Sequence, residues 1–166
     1  MSDNPLSGGL PGAAGRRAAE FSVDRNGRWF YRGSLIEREG LTKLLCGMLA
    51  REASGFVLLT PDQRLRVDVA DAPFVATDFD VLGEPGPDAR LEFVLLHGER
   101  VPLDTAHPLS MRIAPDGQRK PYLGVRDGLE ATLNRNVFNA IAGMAVQECV
   151  DGPWGLRSAG AFFPLE

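Results

Sequence analysis

Phe56-Val-Leu-Leu59 recurs residue for residue as Phe93-Val-Leu-Leu96, and each copy is followed by the same succession of features. After the first come a polar turn, Arg66-Val67 and Asp71-Ala72-Pro73; after the second come a shorter turn, Arg100-Val101 and Thr105-Ala106-His107-Pro108. Short apolar runs bounded by turn residues read as strands. A second echo surrounds the first. Tyr31-x-Gly33 and Tyr122-x-Gly124 each precede a helical pattern, while Gly55-Phe56 and Gly152-Pro153-Trp154 each follow one. Two copies are too few for a solenoid. The expectation is therefore one domain over 20–166 built from two pseudo-symmetric repeats, with approximate halves 20–88 and 89–166.

Outward from this pair, Phe21 to Tyr31 reads as a hairpin turned by Asn26-Gly27. A helix is expected over 37–51, with Leu41, Leu44, Leu45, Met48 and Leu49 as its apolar stripe and Ser34 with Glu37 as a capping box. The second half reads as strands at 91–96, 99–103, 108–114 and 120–125, a short helix over 128–133 and a second helix from about Arg135. An apolar strand through Phe162 and Phe163 ends at Pro164, which cannot donate to a ladder. Strands outnumber helices and the two helical regions are not regularly interleaved with them. That pattern predicts an α+β fold with antiparallel strands. Residues 1–19, punctuated by Pro5, Gly8, Gly9, Pro11, Gly12 and Gly15, read as a flexible tail.

Composition narrows the functional classes. The net charge is −4, and the densest basic pairs are Arg16-Arg17 and Arg119-Lys120. Nucleic-acid affinity rests on neutralising phosphates, so neither nucleic acid nor an anionic membrane is an expected partner. The longest apolar run, Ala140 to Val146, is far short of a membrane span, and the N-terminus lacks a signal-peptide pattern. The expected location is the cytoplasm. Cys46 and Cys149 lie in apolar, helix-patterned stretches and read as buried, inert thiols. No metal or other cofactor is expected, because His, Cys and carboxylates do not cluster in ligand spacing.

Nucleophile signatures are absent as well; Ser158-Ala-Gly160 only approaches one. His97 reads as an exposed turn residue. His107, before Pro108, reads either as a hydrogen-bonded strand-entrance residue or as a ligand contact. The acidic stretch of Asp68, Asp71, Asp78 and Asp80 reads as a solvated strand face. At the junctions of the second half stand Tyr122, Arg126 and Trp154. The expected recess combines these three with His107 around a small anionic ligand, Arg126 supplying its planar fork. The alternative at the same positions is Tyr122 and Trp154 as core, with Arg126 paired to Asp127 and Asp127 capping a helix.

Several segments together resemble the bacterial family called domain of unknown function 1285. They are Asp24 to Gly33, Arg66 to Phe74, His107-Pro-Leu109, Tyr122 to Arg126, Leu129-Glu-Ala131 with Val137-Phe138, and Ser158 to Leu165. Arg157 and Gly124 depart from the family pattern, which often carries Trp and His there. The resemblance implies a two-repeat α+β fold and a link to signal transduction, and it brings no catalytic site. The leading expectation is a non-catalytic module binding a small ligand or a signalling protein. The rivals are a small enzyme for an anionic substrate, using His107 with Arg126 and an acidic partner, and a structural subunit docking another chain.

Overall fold

β1 (Phe21–Val23) and β2 (Trp29–Tyr31) form the expected hairpin, and its turn shows how this chain reverses direction. The Gly27 amide donates to the Asp24 carbonyl and the Asp24 amide to the Arg28 carbonyl, while Gly27 adopts φ +77°. The Asp24 carboxylate accepts the Asn26 and Arg28 amides at 2.9 Å, holding the loop from inside. The same turn, with glycine in the left-handed region, recurs at 95–99 and 114–118. A second device is the two-residue turn in which both residues have positive φ. It occurs at Arg32-Gly33, Asp127-Gly128 and Ala159-Gly160 and matches the twist of the strands it joins.

The structure, a computed structural model, describes residues 18–166. The tail expected over 1–19 lies outside them except for Ala18 and Ala19, whose latter amide donates to Asp68 Oδ2 at 2.9 Å. After β2 come β3 (Ser34–Leu35), α1 (Glu39–Met48), β4 (Leu49–Glu52), β5 (Gly55–Leu59) and β6 (Arg64–Val69). The Arg32-Gly33 turn commits Ser34 to pairing with Tyr31, so the Ser34–Glu37 capping box does not form. α1 begins later, after Arg38, without a side-chain cap. Its buried face is Thr42, Leu45 and Cys46, continued by Leu49, whereas Leu41 and Leu44 are exposed. The expected leucine stripe is thus rotated by part of a turn.

The second sheet contains β7 (Phe74–Leu82), β8 (Arg90–Leu95), β9 (Arg100–Pro102), β10 (Leu109–Ile113), β11 (Arg119–Arg126) and β12 (Leu129–Leu133). The short helix expected over 128–133 is strand β12. The Asp127-Gly128 turn sends the chain straight back along β11, and Asp127, at φ +39°, caps nothing. α2 (Arg135–Ala142) follows, with the Asn134 side chain accepting the Val137 amide at 2.8 Å. A third sheet, β13 (Val146–Gln147), β14 (Trp154–Ser158) and β15 (Ala161–Pro164), closes the described chain.

The two large sheets are mixed rather than purely antiparallel. Their orders are β3-β2-β1-β6-β5-β4 and β10-β11-β12-β7-β8-β9, with one central parallel pair each, β1/β6 and β7/β12. Both sheets therefore run outward from the centre in one meander and inward from the opposite edge in another. The Phe56 and Phe93 segments occupy different places in that scheme. Phe56 lies in β5, whose hairpin leads inward to central β6; Phe93 lies in β8, whose hairpin leads outward to edge strand β9. The verbatim echo is a coincidence of two apolar middle strands. A division at 88/89 would cut the β7–β8 hairpin; the chain changes sheet at 70–73.

One apolar core joins the sheets. It includes Trp29 and Leu58 from the first, Phe93, Leu123 and Ala131 from the second, and Leu156 and Phe163 from the third. The fold is mostly sheet with two helices, whose buried residues Leu45, Cys46, Val137 and Ile141 join this core.

Candidate functional site

Arg126 ends β11 where the register with β12 shifts by one residue between Gly124 and Arg126. Such an irregularity breaks the two-residue alternation, so Tyr122 and Arg126, four positions apart, are carried to different surroundings. Arg126 Nη1 donates to both carboxylate oxygens of Glu99, at 2.6 and 2.8 Å, and Nη2 donates to the Cys46 carbonyl at 2.6 Å. Its guanidinium lies 5.2 Å from the centre of the Phe74 ring. The Cys46 carbonyl belongs to the last turn of α1, where orphan carbonyls concentrate negative charge. Arg126 thus ties the end of α1 to the β8–β9 turn of the other sheet.

Beside this tie lies a cavity of about 350 Å³. Its walls are Phe74, Val75, Leu95 and Leu96; Lys43, His97, Glu99 and Arg126 supply its polar groups, and Cys46 contributes from α1. Size and lining resemble those of small-molecule pockets. His97 is half-buried rather than exposed, and its Nε2 lies 3.2 Å from the Gly27 carbonyl. The first sheet's turn is thereby fastened to the second sheet's turn. Gly27 also lies so close that a Cβ there would sit 3.1 Å from Val75 Cγ2. The Cys46 thiol is buried, and burial pushes its pKa up to about 11. Next to it lies the buried indole N–H of Trp29, which partly offsets the effect of burial on the thiol.

The recess expected from sequence does not assemble. Of its four residues only Arg126 lines this cavity, and its fork is already filled. Tyr122 is buried in a separate cluster with Ala72 and Ala114, donating its hydroxyl to Asp71 Oδ1 at 2.7 Å. Burial, reinforced by that carboxylate, raises its pKa. Arg112 stacks over the Tyr122 ring at 3.8 Å and forms a forked ion pair with Glu130. His107 is held in a loop by Asp104, its Nδ1 lying 2.9 Å from Oδ1. Burial tends to lift the Asp104 carboxyl, but the His107 ring and the amides of His107 and Ala106 outweigh it and hold the group below its ordinary range. Trp154 stands half-exposed on β14 in the third sheet.

Other sequence readings are corrected too. Cys149 is exposed. Asp127 does not pair with Arg126, because Glu99 does. The solvated strand face expected of the acidic stretch is present at Asp78 and Asp80, exposed on either side of half-buried Phe79 in β7; Asp68 and Asp71 lie apart from it, Asp68 receiving the Ala19 amide and Asp71 the Tyr122 hydroxyl. Sequence reasoning missed Lys43, Phe74, Leu96 and Glu99, which meet only because α1 of one sheet covers the β8–β9 turn of the other. The usable signal was His97-Gly98, a turn entered straight from the apolar pair Leu95-Leu96. No helix among the described residues is long and apolar enough to cross a membrane.

Comparison with known proteins places this architecture. The sequence model described as protein of unknown function (DUF1285), C-terminal domain, matches residues 73–165. That of the domain of unknown function (DUF1285), N-terminal domain, matches residues 11–72. Their junction coincides with the passage from the first sheet to the second. No curated protein matches the chain. The crystal structure of a DUF1285 family protein from Silicibacter pomeroyi DSS-3 is similar at 37% identity and a TM-score of 0.80, over 89% of this chain and 80% of that one. A DUF1285 family protein from Shewanella baltica OS155 shares the fold at a TM-score of 0.58 and 24% identity, over 75% of this chain and 91% of that one. Both domain models in sequence order, and a solved relative along most of the length, show that the chain belongs to the DUF1285 family.

Proposed function

We propose that this protein is a non-catalytic binding module whose ligand is a small, largely apolar molecule carrying one anionic group. The observation that carries this reading is the cavity of about 350 Å³ between α1 and the second sheet. Phe74, Val75, Leu95 and Leu96 would cover the apolar body. Lys43 reaches the rim, where its Nζ lies 3.9 Å from the Cβ position of Gly98; its other partner is an exposed Glu39 at 3.4 Å. Exposed ion pairs are weak, so Lys43 can turn to an incoming carboxylate. Arg126 acts as a wall and strut, since an anion would have to displace Glu99 to use its fork.

The groups at the cavity favour binding over chemistry. The Cys46 thiol stays protonated at neutral pH, and only the thiolate is a competent nucleophile. His97 is engaged with a backbone carbonyl. A ligand seated here would touch elements of both large sheets, which suits a sensor in signal transduction. The enzyme and docking-subunit readings have no comparable observation behind them.

The test is a thermal-shift and calorimetric screen of straight-chain carboxylates from acetate to octanoate, with indole-3-acetate, against the wild-type protein. A bound ligand at 100 times its Kd stabilises by about 2.7 kcal/mol. Leu96→Trp, which fills the cavity, is expected to abolish the shift, and Lys43→Met to weaken binding about tenfold or more. Shifts that survive both substitutions, or no shift with any probe, would overturn the reading.

A further inference from the structure

A second cavity, of about 410 Å³, lies at the opposite end of β11, between that strand, the end of β12 and α2. Its charged lining is wholly basic: Arg119, Lys120 and Arg135, without a carboxylate. In a protein of net charge −4 this is a local inversion. Lys120 is committed, its ammonium lying 2.7 Å from Asp116 and 3.8 Å from Asp71. Arg119 and Arg135 are not. Among the described residues neither guanidinium engages in a hydrogen bond, ion pair or ring contact, a condition shared with only those of Arg38 and Arg90. Half of the unengaged guanidinium groups among the described residues therefore line one cavity.

A second observation points the same way. Arg135 is the first residue of α2, and that first turn carries no acidic residue. Positive charge there opposes the helix macrodipole, whereas an anion would be favoured. The arrangement leaves positive charge that the fold itself does not neutralise. Phe138, half-buried, and Pro121, buried, supply an apolar wall, and Asn139 and Gln118 add amide groups.

We infer that this cavity is a binding site for a phosphomonoester with a compact apolar body. Phosphate presents several acceptor oxygens, which two guanidinium forks can share, and the phenyl face of Phe138 would cover the ester group. This site is separate from the α1 cavity, and its failure would leave that reading untouched.

The experiment titrates the full chain with inorganic phosphate and with phenyl phosphate at constant ionic strength, by calorimetry and amide NMR. Expected are shifts confined to 118–121 and 133–139, and tighter binding of phenyl phosphate than of inorganic phosphate. Arg119→Gln and Arg135→Gln should each weaken phenyl phosphate roughly tenfold, the loss expected of one charge-assisted contact. Arg90→Gln, an unengaged arginine elsewhere, should leave the affinity unchanged. Both cavity arginines are exposed, so the variants should fold, which circular dichroism checks. Absence of binding at 20 mM phenyl phosphate, equal losses in Arg90→Gln, or inorganic phosphate binding as tightly as the ester would each overturn the assignment.

Discussion

Ser158 is completely buried, and its hydroxyl accepts the Leu91 amide at 2.9 Å while donating to the Leu103 carbonyl at 2.6 Å. It bridges two strand ends of the second sheet from the third. Ser158→Ala leaves a buried donor and a buried acceptor unpaired, so a loss of about 1–3 kcal/mol is expected in urea denaturation; a change below about 0.5 kcal/mol would contradict it. Two glycines make a second case. Gly27 and Gly128 both adopt positive φ, +77° and +78°, so alanine at either should destabilise by roughly 1–2 kcal/mol. Gly27→Ala should cost more, because its Cβ also meets Val75 at 3.1 Å, whereas that of Gly128 meets Arg51 at an ordinary 3.6 Å. Asp104 supplies the pH dependence. Its folded pKa is depressed, so its contribution is present above the unfolded carboxylate value of about 3.9 and lost as pH falls through the folded one. His107→Ala should therefore cost more stability at pH 6 than at pH 2.5, and equal losses would show that the carboxylate is not the partner that matters.

At the scale of elements, the attachment of α1 depends on Arg126. A helix of ten residues is marginal alone, its capping residue Arg38 offers no side-chain bond, and two of its leucines face outward. What binds its last turn to the second sheet is the guanidinium on the Cys46 carbonyl. Arg126→Ala should cost about 1–2 kcal/mol, since the pair is about a third exposed. The distinctive readout is faster amide exchange along α1, with β12 and α2 unaffected. Arg126→Lys should recover little, because one ammonium cannot serve both Glu99 and the carbonyl. Unchanged exchange in α1 would mean that packing alone holds it.

For the whole molecule, a single core cluster spans all three sheets. The two sheets are also pinned by His97 on Gly27, and Tyr122 holds the connection between them at Asp71. Unfolding should be one cooperative transition, coincident by fluorescence and circular dichroism. Separating the chain between residues 72 and 73 would expose Phe74, Leu91, Phe93 and Leu123. Neither piece is expected to unfold cooperatively alone, although mixing them should restore structure. A cooperative transition in the isolated 73–166 piece would show that the second sheet is autonomous.

The local elements were legible because their signals are local. The hairpin at 21–31, the strands around 91–126, α2 from about Arg135 and the last strand follow from alternation, turn residues and helical spacing. So did the family resemblance, which rests on ordered motifs. Errors arose where two local codes competed. Asp127-Gly128 precedes helix-favouring residues, but its paired positive-φ positions make it a hairpin turn. Phe56 and Phe93 matched because middle strands of meanders want the same apolar residues, whatever their place in a sheet. The candidate sites were decided by tertiary structure alone. Nothing near Lys43 in sequence announces Leu96 or Phe74, and Arg126 could not be assigned to Glu99 until a bulge in β11 and the packing of α1 over the β8–β9 turn set its direction. Periodicity specifies which face of an element is apolar; which elements meet across that face is settled only when the sheets close over a common core.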